Sequence, residues 1–306
     1  MGFLPRVKIL VIVFMSFLLF CGCNNAEEAS DEAYVEQTEV PTEEPTESPQ
    51  EKAEKYDKEN LEQGINEVIE GRAGDWSVYV GIPKTDFKLE INSCPMRSAS
   101  VIKLYNMVAF YKGIADETFV PDELMYKCLE NMITVSSNTD SNAVVKALGA
   151  GEFYAGAKVV TDMAQEMGCV DTKEQSPLYD ISGYGAGINQ TSVRDCGSIL
   201  TKLYEGKCVS PKYDEEMIEL LKRQQRDWKI PQGLPEGTIV ANKTGENSRV
   251  EWDVALVYSP ECDYVICIAV KDFGNANVYT GFWEISKTVY EFFNGDAISS
   301  ETENPS

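Results

Sequence analysis

The chain has 306 residues, a formal net charge of −23 and not one histidine. So acidic a chain is a poor partner for nucleic acid. Without imidazole it has no Ser-His-Asp or Cys-His catalysis and, lacking also a Cys-x-x-Cys pair, no expected zinc or other metal site; no cofactor is expected either.

Taken in chain order, Arg6 and Lys8 precede an apolar run over 9–20 that is too short for a comfortable membrane span. Cys21-Gly22-Cys23 follows, and the segment resembles a bacterial lipoprotein signal over 1–22, with Cys23 receiving the lipid. Cys23 fits better than Cys21, which bulky Phe20 precedes. The expected location is the outer face of a bacterial cell membrane, outside the cytoplasm. Residues 23–56 read as an acidic tether: 24–56 hold eleven acidic and two basic residues, with Pro41, Pro45 and Pro49 among Thr and Glu. Such a segment repels itself and buries too little apolar surface to fold. A folded domain over 57–296 and a polar tail over 297–306 complete the plan, and about 240 residues suffice for one well-buried domain.

Within that domain Leu61, Ile65, Val68 and Ile69 repeat at helical spacing. Trp76, Val78, Val80 and Ile82 alternate, Pro83-Lys84-Thr85-Asp86 turns the chain, and Phe87, Leu89 and Ile91 alternate back as a β-hairpin. A helix-rich middle spans 98–219. Strand-like runs cover 238–243, 252–258 and 264–270, and a last helix is expected over 278–293, with Phe282, Ile285, Val289 and Phe292 on one side. This order predicts an α+β fold with one antiparallel sheet assembled from both chain ends.

Three short motifs carry chemistry. In Ser100-Val101-Ile102-Lys103, i and i+3 share a helix face roughly 5–6 Å apart, so lysine can replace the missing histidine as base. Burial among Val101, Ile102, Leu104, Tyr105, Met107 and Val108 would lower its pKa as that role requires. Ser136-Ser137-Asn138 follows an apolar helical stretch, and Lys243-Thr244-Gly245 closes a strand-like run. Ser-x-x-Lys, Ser-x-Asn and Lys-Thr-Gly in that order resemble the penicillin-recognising serine hydrolases, the class A β-lactamases and D-Ala-D-Ala peptidases. The resemblance runs from about Tyr56 to Gly295. It implies a β-lactamase-like fold, with a five-stranded antiparallel sheet flanked by helices and an all-helical lobe, the active site between them.

The resemblance also implies roles. Ser100 would be the nucleophile, Lys103 its base, Ser136 the proton donor to the leaving nitrogen, and Lys243 the source of positive potential. Asn138 would orient Lys103 and the substrate amide, Thr244 would bind a substrate carboxylate, and Gly245 would let substrate lie against the strand. The N–H groups of Ser100 and Glu246 would form the oxyanion hole. Ser137, where class A enzymes carry Asp, is expected to serve a local turn. The implied partner is a β-lactam or a peptidoglycan stem peptide, met by a monomeric, membrane-anchored enzyme.

Two departures bear on the outcome. The stretch between Lys103 and Ser136 is short. The region before Asn189-Gln190-Thr191-Ser192 lacks the Glu-x-x-Leu-Asn whose glutamate activates the deacylating water. Glu174 and Asp180 are the nearby carboxylates, and neither occupies the motif. Hydrolysis of β-lactams, a slow D-Ala-D-Ala peptidase or penicillin-binding activity, and a non-catalytic surface-binding lipoprotein are therefore the three readings. Arg249 reads as a solvated arginine rather than a carboxylate ligand, and Asp253 as a buried acid paired with a basic neighbour. Seven cysteines remain in the domain, an odd number that leaves pairing open.

Overall fold

The computed structural model describes residues 48–179 and 188–302, with side chains described as far as 295. Cys23, most of the acidic stretch and Asp180 lie outside the described residues. Helices α1 (Pro49–Ala53) and α2 (Lys58–Ile69) lead into strands β1 (Asp75–Gly81) and β2 (Lys88–Ile91). Ala53 is buried and the Tyr56 ring packs edge-on to Phe293, so folded structure begins inside the segment read as tether.

Strand β3 (Met96–Arg97) precedes a 3-10 turn, Ala99–Val101, that runs into α3 (Ile102–Ala115). Helices α4 (Glu123–Thr134), α5 (Asn138–Leu148) and α6 (Phe153–Glu166) follow, then β4 (Gln190–Thr191), α7 (Val193–Tyr204) and α8 (Pro211–Lys222). The chain closes with β5 (Ile239–Asn247), β6 (Val250–Tyr258), β7 (Tyr264–Lys271) and α9 (Tyr279–Thr302). The last helix continues past the end expected for it.

The sheet order is β2-β1-β7-β6-β5, antiparallel throughout, so both chain ends contribute as expected. Period-two alternation sends β6 and β7 side chains into two separate cores. Trp252, Val254, Leu256, Val265, Cys267 and Ala269 face the helical lobe. Ala255, Val257, Ile266 and Ile268 face α2 and α9, with Leu61, Ile65, Phe282 and Ile285. Helix α3 is buried from Ile102 through Tyr111, including Lys103 and Asn106. An apolar helix of this kind belongs at the centre of a lobe rather than on its surface. All seven cysteines of the described residues are free.

Candidate active site

Three elements converge on Ser100. The Ala99–Val101 turn presents the hydroxyl at the mouth of α3, and Ala99, just before it, takes a left-handed φ of 45°. Ser136 lies in the link between α4 and α5, also left-handed with φ 62°. Such conformations cost on the order of 1–3 kcal/mol for a non-glycine residue and persist where the surroundings enforce them. Strand β5 carries Lys243, Thr244, Gly245 and Glu246 along the sheet edge. It passes so close to the turn that a Cβ on Gly245 would sit 3.0 Å from the Ser98 carbonyl oxygen. The Trp252 indole N–H, donating to Arg97 O at 2.8 Å, ties β6 to the same turn.

Lys103, fully buried, reaches all the expected partners. Its Nζ lies 2.9 Å from Ser100 Oγ, 2.6 Å from Ser136 O and 2.7 Å from Asn138 Oδ1. Ser136 Oγ is shared: Lys243 Nζ is 2.9 Å away and Lys103 Nζ 3.3 Å. Lys243, itself fully buried, also donates to Thr244 O at 2.9 Å. Burial, then the nearby charges of Lys103 and Arg226, push its ammonium well below the usual lysine range. Ser137 accepts from Asp140 N at 3.2 Å and caps α5, the local turn role expected of it.

The wall beyond α6 shows what the sequence hides. Asn142 clamps Leu178 on both sides, donating to its carbonyl at 2.7 Å and accepting from its N–H at 2.9 Å. Asn189 Oδ1 accepts from Gln175 N and Ser176 N, while its Nδ2 donates to Ser176 O and to Glu174 Oε1 at 2.9 Å each. Glu174 is buried, and the loss of hydration pushes its carboxyl up to about 8, against smaller opposing contributions from Asn106, Asn189 and Lys103. Among the described residues its Oε2 and the Oδ1 of Asn106 are both buried acceptors without a hydrogen-bond partner, whereas Asn106 Nδ2 donates to Ser141 at 3.2 Å. A proton on Glu174 relieves the first of these by making it a donor. Loss of hydration thus favours the protonated form of this enclosed acid.

At the other end of the cleft Arg226 Nη1 and Lys229 Nζ each lie 3.2 Å from the Glu246 carboxylate. Lys229, fully buried, also ion-pairs with Glu251 at 2.7 Å. Asp253 is buried as expected, but its hydrogen-bond donors are Asn242 Nδ2 at 2.9 Å and the Ile230 N–H at 3.0 Å, with Lys229 and Lys243 acting through their charge. Burial raises its carboxyl to about 6. Arg249 is exposed in the turn between β5 and β6. Among the described residues no cluster of His, Cys, Asp and Glu could hold a metal ion.

A family model described as "Beta-lactamase enzyme family" matches residues 60–127 and 124–293. PBP-A has a similar structure, with TM-score 0.67 and 25% identity over 77% of this chain and 96% of its own. A PBP-A variant solved as an acyl-enzyme complex with penicillin G gives 0.68 and 24% over 78% and 97%. The TLA-1 extended spectrum β-lactamase shares the fold at 0.68, with 16% identity over 77% and 98%. No curated protein matches the sequence. The family match spans both lobes and every residue that meets at Ser100: the chain belongs to the beta-lactamase enzyme family.

Proposed function

We propose that the protein is a serine hydrolase acylated at Ser100 by β-lactams or acyl-D-Ala-D-Ala-like peptides, and that it releases the acyl group slowly. The observation that carries this is the placement of Lys103. An amine has two hydrogens and one lone pair; with the hydrogens directed to Ser136 O and Asn138 Oδ1, the lone pair faces Ser100 Oγ at 2.9 Å. Lys103 takes the Ser100 proton as Oγ bonds to the substrate carbonyl carbon. The N–H groups of Ser100 and Glu246 hold the resulting oxyanion, a contribution of about 10²–10³ in rate per donor. As the C–N bond breaks, Ser136 gives its proton to the leaving nitrogen and recovers one from the lysines on either side of it. Thr244 and Gly245 seat the substrate along β5.

Release requires water to be activated against the ester, and burial disfavours the ionised form of Glu174 that could do so. That favours a slow penicillin-binding protein or D-Ala-D-Ala peptidase over a fast β-lactamase. The penicillin G acyl-enzyme of a PBP-A variant supports the acylation half. A non-catalytic surface-binding role has no use for Ser100, Lys103, Ser136 and Lys243 in mutual contact. The proposal includes attachment to the outer membrane face through Cys23. Rapid-mixing nitrocefin kinetics test it: a burst near one equivalent, followed by little turnover, is expected. Sustained fast turnover refutes slow release, and absence of both burst and turnover refutes the chemistry.

A further inference from the structure

A ledge of aromatic side chains outside the cleft takes no part in the steps at Ser100. Trp76 and Trp252 are buried, but Trp283 on α9 is 38% exposed, and Trp228, in the link between α8 and β5, is half-buried. The Trp283 indole N–H already donates to Trp228 O at 2.8 Å, so the part of that ring which meets solvent offers carbon rather than a hydrogen-bond donor. Tyr279, also half-buried, lies four residues before Trp283 and shares its helix face. The link is clamped to the helix: Ser286 Oγ donates to Ile230 O at 2.8 Å, and a Cβ on Gly233 would stand only 2.2 Å from Trp283 O. The Arg226 guanidinium stands 5.6 Å from the centre of the Trp228 ring, and Lys229 Nζ 5.9 Å from the centre of the Tyr279 ring. Both cations are ion-paired, to Glu246 and, for Lys229, to Glu251 as well. Arg72 pairs likewise with Glu284, the residue after Trp283, at 2.6 Å.

Rings fixed in place, with the indole donor satisfied and the nearby cations paired, suit a neutral ligand that presents C–H faces. A stable protein partner covers about 800 Å², whereas three partly exposed aromatic side chains offer roughly a few hundred Å² at most. An anionic polymer would meet the repulsion of a chain with net charge −23. A pyranose ring has C–H bonds on its faces and polar groups around its edge, and the exposed Asp227 and Gln232 of the same link put polar groups at the rim of the ledge. We propose that Trp283, Trp228 and Tyr279 form a subsite for a neutral β-1,4-linked N-acetylhexosamine chain, the glycan that carries the stem peptides. The choice of that polymer rests on the stem-peptide reading of Ser100, whereas the ledge itself does not. Glycan held there would keep the protein on the polymer and raise the local concentration of stem peptides, with the acylation step unchanged.

Isothermal titration calorimetry with chitotetraose, a soluble β-1,4-linked N-acetylglucosamine oligomer, tests the subsite. Wild type and Ser100→Ala should bind it alike and saturably. Trp283→Ala and, separately, Trp228→Ala should weaken binding about tenfold, as loss of an aromatic anchor does. Trp283→Phe, which keeps a ring on the ledge, should lose clearly less than Trp283→Ala. Tyr154→Ala, which removes an exposed aromatic on α6, should leave the affinity unchanged. No saturable heat with wild type, or an affinity within about twofold of wild type in both alanine variants, overturns the subsite. A penicillin adduct at Ser100 without chitotetraose binding removes the ledge and spares the Ser100 reading. Binding that the ledge variants weaken, in a protein that forms no adduct, keeps the ledge and removes that reading.

Discussion

Glu174→Gln should stabilise the protein, and increasingly so as pH rises. The folded carboxyl titrates at about 8 against a reference of 4.5. Folded protein therefore holds a proton that unfolded chain has released between those values. With more protons bound in the native state, stability falls as pH rises through that window and levels off above it. At 1.36 kcal/mol per unit, the penalty near pH 7 is about 3 kcal/mol, and it grows by a similar amount between pH 5 and 8. Glutamine removes the titration. Its carbonyl keeps the Asn189 bond, and its amide can donate to the orphaned Asn106 Oδ1. Thermal melts of both proteins from pH 5 to 8 should diverge by roughly 6–12 °C at the alkaline end. Parallel curves, or a variant that melts lower at pH 8, would show that Glu174 is ionised or solvated and that the account of this wall is wrong.

The same variant should keep the full acylation burst; if it instead traps an acyl-enzyme that wild type clears, Glu174 is a deacylation base after all. Lys103→Ala should abolish the burst, since it removes the nitrogen bonded to Ser100 Oγ, and a retained burst in rapid-mixing traces would assign the base elsewhere. Gly156→Ala should cost about 3 kcal/mol in urea unfolding, because the new Cβ would lie 1.7 Å from the Val145 carbonyl oxygen on the neighbouring helix; an unchanged midpoint would refute that close packing. Cys23→Ala should move the protein from the membrane to the soluble fraction of expressing cells, and continued membrane association would argue against the lipid anchor.

Much of this architecture was legible because the chemistry is local in sequence. Ser100 and Lys103 share one helical turn, Ser136 to Asn138 and Lys243 to Gly245 are contiguous, and β1, β6 and β7 announce themselves by apolar patterning. Strand β5 reads as ending at Lys243, yet pairing continues to Asn247 opposite Val250. Thr-Gly-Glu-Asn has little intrinsic strand preference, and the ladder with β6 overrides it. The two-residue strands β3 and β4 are too short to carry any period. The contacts of Asn142 and Asn189 are bonds between distant segments, so no local spacing marks them. The charge pattern around Glu246 is hidden for the same reason: Arg226, Lys229 and Glu251 approach it from a loop and a neighbouring strand. The burial of Glu174 is likewise a property of the assembled wall, and it favours the protonated form of that carboxyl.

The central claim is covalent chemistry at Ser100, and intact mass spectrometry with peptide mapping addresses it most directly. Wild-type protein incubated with benzylpenicillin should gain one equivalent of the intact drug's mass, located on the peptide containing Ser100 and absent from Ser100→Ala. No mass gain with any β-lactam or acyl-D-Ala-D-Ala peptide, or an adduct that survives Ser100→Ala, would contradict the account.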